Sequence, residues 1–230
     1  MVSFLAASET TMTLLPSNGA PGVDMDFLVR LEGSVTYGYV PTHRSGAKKG
    51  QAIGRSGVTI GIGCDLGGRS ENDLLCLGLP GSLVARLKPY LGKRRREAQQ
   101  ALASQPLRLS QEEAAMLSAA IAGEIFTRLA ARYDSAVAGT AERRLFRDLP
   151  WQAQTVIASI AYQYGDNLPL AAPRFWTVAL TQDWPALVRA LENFGDAYAP
   201  RRRAEAQLLR MMLAGNGQAA APSPAEPLQS

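Results

Sequence analysis

Histidine and cysteine are scarce in this chain of 230 residues. His43 is the single histidine, and the two cysteines, Cys64 and Cys76, form no CxxC pair. A structural zinc site needs four ligands of these types, so none is expected, nor is any other metal or organic cofactor. A Cys64–Cys76 disulfide is not indicated, and two buried thiols are the expectation. Long apolar runs are missing too. No stretch approaches the roughly 18 consecutive apolar residues of a membrane-spanning helix, so no membrane insertion is expected. Residues 1–21 lack a basic segment followed by an apolar run, so no secretory signal peptide is expected. Recognised nucleic-acid-binding motifs are absent, and no nucleic-acid partner is expected.

Hydrophobic residues make up 47% of the chain, enough for a sizeable core. The formal net charge is +4. That balance suits a polyanionic partner such as a bacterial wall, a nucleic acid or an anionic membrane; a solvated basic surface explains it equally well. Residues 1–22 mix Ser, Thr, Gly and Pro without a period and read as a flexible leader. Residues 215–230 are rich in Pro, Ala and Gln and read as a disordered tail. The folded part is expected over 23–214, with a β lobe over about 33–68 and a helical lobe over about 70–214.

Asp24 caps a short helix in which Phe27, Leu28 and Leu31 fall at helical spacing, stopped at Glu32-Gly33. SVTYGYV and GVTIGIG, separated by the turn-like GAKKG, predict a small antiparallel sheet. Capping boxes pair Ser70 with Asp73 and Ser110 with Glu113. The second opens a helix to about Tyr133, apolar at Met116, Leu117, Ala120, Ile121, Ile125 and Leu129, which predicts a buried spine between two lobes. Further helices are expected over 81–90, 93–103, 151–164, 173–181, 184–194 and 201–213, punctuated by prolines. The fold class is α+β, mostly helical, in one two-lobed domain.

Three polar residues near the β lobe carry the chemistry. Glu32 sits where the helix dipole disfavours a carboxylate, next to apolar Leu31; both effects favour the protonated form that a general acid needs. Thr59, between Val58 and Ile60, projects to the face opposite theirs. Asp65 follows where the chain leaves the strand, and Gly57, Gly61 and Gly63 leave room for a ligand or another backbone. Each has an ordinary alternative: a solvated glutamate, a strand threonine, a turn aspartate. Together they match the need of glycoside hydrolysis for two carboxylates flanking a sugar bond, one giving a proton and one activating water.

LEG (31–33), GYVP (38–41) and SGVTIGIGCDLG (56–67), followed by a helical half, resemble the muramidase domain of pesticin-like bacterial toxins, relatives of phage T4-type lysozymes. Over roughly 24–213 the resemblance implies a lysozyme-like two-lobed fold. It implies Glu32 as the acid, with Thr59 and Asp65 assisting water attack. It also implies an arginine from the segment 194–209 near that acid, for which Arg202 is the candidate over Arg201 and Arg203. Tyr39, Gly57 and Gly63 are expected to support the substrate site. Cys64 departs from the family, standing where a bulkier residue is expected.

The implied activity is inverting hydrolysis of the β-1,4 bond between N-acetylmuramic acid and N-acetylglucosamine in peptidoglycan glycan strands. A lytic transglycosylase and a non-catalytic wall-binding module are the alternatives. The expected molecule is a monomer made in the cytoplasm. It would act on the periplasmic wall after holin release, as an endolysin, or after secretion-system delivery, as an effector with an immunity protein over its cleft.

Overall fold

The first helix, α1 (Met25–Glu32), begins where the Asp24 side chain accepts the Phe27 N–H and ends at Gly33, whose N–H returns to Val29. A computed structural model describes residues 22–218 and shows the chain continuing into three antiparallel strands: β1 (Val35–Tyr39), β2 (Thr59–Gly61) and β3 (Cys64–Asp65). Their order is β1-β2-β3. The expected hairpin is present, and β3 adds a strand to it. GVTIGIG does not run as one strand because it folds back within itself: Ile60 pairs with Cys64 around a tight Gly61-Ile62-Gly63 turn.

The remaining regular elements are helices joined by loops. They include α2 (Glu71–Cys76), α3 (Gly81–Leu87), α4 (Arg95–Ser104), α5 (Gln111–Val137) and α6 (Trp151–Tyr164). Then come α7 (Leu168–Ala171), α8 (Pro173–Thr181), α9 (Trp184–Glu192) and α10 (Ala199–Gln218). Both capping boxes form as expected, at Ser70 with Asp73 and at Ser110 with Glu113. α10 runs past 213, where its sequence pattern ends. Of the leader expected over 1–22 and the tail expected over 215–230, residues 1–21 and 219–230 lie outside the described residues, while 215–218 belong to α10 rather than to a disordered tail.

Two cores divide the molecule, and α5 serves both. Ala114, Leu117 and Ile121 from its first half join Val58, Ile60, Leu66, Leu74 and Leu87 in the β-lobe core. Phe126, Leu129, Tyr133 and Val137 from its second half join residues of α6, α8, α9 and α10 in the helical-lobe core. The helix is therefore the spine expected from its apolar spacing, although by length and composition alone it is also apolar enough to cross a membrane. Two details differ from expectation. Met116 is 44% exposed, because its position lies off the stripe that both cores use. Cys76 is exposed at the end of α2 and only Cys64 is buried, so the chain carries one buried thiol and not two.

Candidate active site

Glu32 is placed by the short helix that carries it, and α6 holds that helix. The Gly22 N–H donates to Gln154 Oε1 at 2.7 Å and the Asp24 N–H to Thr155 Oγ1 at 2.9 Å. Phe27 and Leu28 bury into the helical-lobe core. These ties aim the C-terminal end of α1 at the seam between the lobes. Its setting is not the apolar one expected. The Glu32 side chain keeps 23% of its exposure and meets Arg201, whose Nη1 donates to Glu32 Oε1 at 2.5 Å.

Arg201 is clamped on its other edges. Nη2 donates to the Ser159 carbonyl at 2.9 Å and to Ser159 Oγ at 3.0 Å, and Nε to Glu205 Oε1 at 3.2 Å. Only 9% of its side chain is exposed. This corrects the choice of Arg202. Arg202 points the other way, 3% exposed, with Nε on Asp196 at 3.0 Å and further bonds to Glu205 and Gln163. Its guanidinium lies over the Phe194 ring, 4.5 Å from the centroid. Successive helical residues point about 100° apart, so neighbouring arginines serve different faces. Glu205, fully buried, receives both of them and the Ser159 hydroxyl at 2.6 Å.

Across the seam, the sheet register brings the other candidates together. Thr59 pairs with Tyr39 on one side and Asp65 on the other. Directly paired residues project from the same face of a sheet, so Tyr39, Thr59 and Asp65 form one row. Ile60 and Cys64, the next pair, turn into the β-lobe core. The Tyr39 phenol is pushed up by its burial first, then by Tyr37, Cys64 and the charge of Glu32. The Tyr162 phenol is raised by burial, then by Cys64 and Glu32, and its OH donates to the Ile62 carbonyl at 3.0 Å.

Asp65 has a built seat. Its Oδ1 accepts the Gly67 N–H at 2.7 Å and the Gly57 N–H at 3.1 Å. Among the described residues nothing donates to Oδ2, and the residue is exposed. Gly57 is required by close approach: a Cβ there would lie 2.6 Å from Gly67 N and 2.7 Å from Asp65 Oδ1. Gly63, by contrast, has open space around it and a φ of +102°, so it serves the β2–β3 turn. Thr59 is buried, and its hydroxyl makes only a long 3.4 Å bond to the Gly57 carbonyl, which leaves its lone pairs free to accept from a water. One carboxylate with an arginine on one lobe, and an exposed carboxylate beside a hydroxyl on the other, can protonate a leaving group and direct water.

Sequence reasoning missed Arg201, Ser159 and Glu205 as a unit. The signal was present as the i, i+4 spacing of Arg201 and Glu205, which shares one helix face. Gly67, in the DLGG run, was legible only as part of a motif. No group of three or more metal-ligating side chains gathers among the described residues.

A small three-stranded sheet, a long spine helix and a helical lobe define a lysozyme-like α+β fold. Residues 22–185, more than half of the chain, match the family model described as Pesticin, bacterial toxin homologue of phage lysozyme, C-terminal. The chain belongs to that family. No curated protein matches it. Membership places the chain among lysozyme-like glycoside hydrolases of the cell-wall lytic or toxin kind, with peptidoglycan as the substrate class.

Proposed function

We propose that this chain is a muramidase that cleaves the β-1,4 bond between N-acetylmuramic acid and N-acetylglucosamine with inversion. The reading rests on one observation above all: Asp65 keeps one oxygen locked on two backbone amides and the other open, in the same row as the Thr59 hydroxyl. Glu32 gives its proton to the glycosidic oxygen as the C–O bond breaks. Water held by Thr59 bonds to the anomeric carbon from the opposite side and yields its proton to Asp65 Oδ2. Arg201 neutralises the carboxylate left on Glu32. Tyr39, at the end of the same row, borders the sugar path.

The test is turbidity loss of purified peptidoglycan, wild type against Glu32→Gln, with folding matched by circular dichroism. Gln keeps the shape and removes the acid, and the rate should fall by about 10²–10⁴. Nuclear magnetic resonance of the fresh product should show the α-anomer, as inversion requires. A 1,6-anhydro sugar by mass spectrometry would mean a transglycosylase. Equal clearing by the variant would remove Glu32 from the chemistry. We further place its action on the periplasmic wall, after delivery by a holin or a secretion system, and propose a monomer with an immunity protein that plugs the cleft.

A further inference from the structure

Between Gly33 and Ser70 the chain carries one carboxylate, Asp65, against Arg44, Lys48, Lys49, Arg55 and Arg69. The fold adds Arg94, Arg95 and Arg96, at the start of α4, to the same surface. Two hollows open there, of about 550 and 620 Å³. Arg55, Arg94 and Glu97 line the first, His43, Lys48 and Gln99 the second, and Arg95 and Arg96 line both, so the hollows form one groove. No carboxylate among the described residues lies within ion-pairing distance of Lys48, Arg55, Arg94, Arg95 or Arg96. Arg69 has such a partner in Glu124, and Arg86, Lys88, Arg128, Arg201, Arg202 and Arg210 are also paired. Arg132, Arg174 and Arg189 on the helical lobe have none among the described residues, but they line neither hollow.

The groove is built rather than loose. Arg95 adopts a φ of +52°, which costs energy for a residue with a Cβ. Its N–H donates to the Ser56 carbonyl at 2.8 Å and its Nε to the Gly54 carbonyl at 2.9 Å. Gln99 Nε2 ties the far side to the Gly50 carbonyl at 2.8 Å. The groove also touches the site. Gly57 bridges to Arg94, and a Cβ on Gly67 would lie 2.8 Å from the Lys93 carbonyl. These are the two glycines whose amides hold Asp65.

We propose that this groove is a subsite for carboxylates on the peptide stems of the glycan strand being cut. The proposal rests on the muramidase reading of Glu32 and Asp65. A strand whose sugars reach Asp65 carries its acidic branches over the adjoining lip. Guanidinium forks match carboxylates there. The lining holds no Phe, Tyr or Trp on which a base would stack, which argues against single-stranded nucleic acid.

The test compares the wild type with the triple variant Lys48→Ser, Arg55→Ser, Arg96→Ser, none of whose side chains holds the backbone. A charge-matched control, Arg132→Ser, Arg174→Ser, Arg189→Ser, alters the helical lobe. Binding by co-sedimentation and cleavage are each measured on intact sacculi and on glycan strands stripped of peptide. The groove variant should bind intact sacculi about tenfold more weakly at low salt, with KM raised and kcat kept, and should match the wild type on stripped strands. An equal loss in the control variant, an equal loss on stripped strands, or no loss at all would overturn the subsite. So would weaker binding to duplex DNA or anionic vesicles with unchanged binding to sacculi. A wild type that binds sacculi through the groove but cleaves nothing would sink the muramidase reading and leave the groove standing.

Discussion

Arg201 and Glu32, 169 residues apart, meet at 2.5 Å, and the same guanidinium is held from behind by Ser159 and Glu205. The contact joins the start of the domain to its last helix and fixes the acid in place. Removing Arg201 and removing Arg202 should therefore have different consequences. Arg201→Ala should cut kcat on peptidoglycan by about a hundredfold, the scale of losing one aimed donor. Arg202→Ala should leave kcat per folded molecule near wild type and cost about 1–3 kcal/mol in urea unfolding, because Asp196 and Gln163 lose a donor while Glu205 keeps Arg201 and the Ser159 hydroxyl. Equal activity loss in both would deny Arg201 its special place.

The seat of Asp65 depends on two glycine backbones in contact. Gly57→Ala should displace Gly67 and Asp65 together, costing about 1–3 kcal/mol and most of the activity. Gly63→Ala meets no atoms and pays only for its positive φ, about 1–2 kcal/mol, with kcat preserved. Thermal melts and turbidity assays on the pair would separate conformational strain from loss of the site.

Arg69 just after β3, Glu124 and Arg128 on α5, and Asp166 just after α6 form a chain of ion pairs between the lobes. Burial raises the Glu124 carboxyl, but Arg69 and Arg128 outweigh it and hold it below its ordinary 4.5. A depressed carboxylate stabilises the fold above its unfolded value and loses that stabilisation as the pH falls through its folded value. Glu124→Gln should thus be less stable than wild type at neutral pH, by about 1 kcal/mol or less for a partly exposed pair. The difference should shrink as the pH drops below 4.5, which denaturant titrations at neutral and acid pH would read. A gap that persists unchanged in acid would locate the effect in packing.

Burial pushes the Cys64 thiol up to about 11, with Ser118, Tyr162 and Arg69 acting against it. At pH 8 roughly one molecule in a thousand then carries the thiolate. Native protein treated with iodoacetamide should take one label, on exposed Cys76, and two once unfolded. Mass spectrometry counts them directly, and fast labelling of native Cys64 would contradict its burial.

Much of this molecule is written locally. Asp24, Ser70 and Ser110 announce helix starts because a cap bonds within three residues, so neighbours in sequence settle it. The apolar stripe of α5 declares a spine because helical periodicity needs no partner to be visible. The glycines and Asp65 of SGVTIGIGCDLG fall in register because a tight two-strand turn constrains residues only a few positions apart. Tertiary structure decided the rest. Arg201 and Arg202 are equivalent in composition and differ only by helix rotation, which packing against α6 and the Phe194 ring sets. β3 emerges only when Cys64 and Asp65 find β2, and Cys76 proves exposed because the amphipathic phase of a six-residue helix is too short to read. The basic groove joins residues 43–55 to residues 94–99, which no local pattern links. Sequence carries what is decided within a turn or two of chain; contacts across the fold choose which of several like residues does the work.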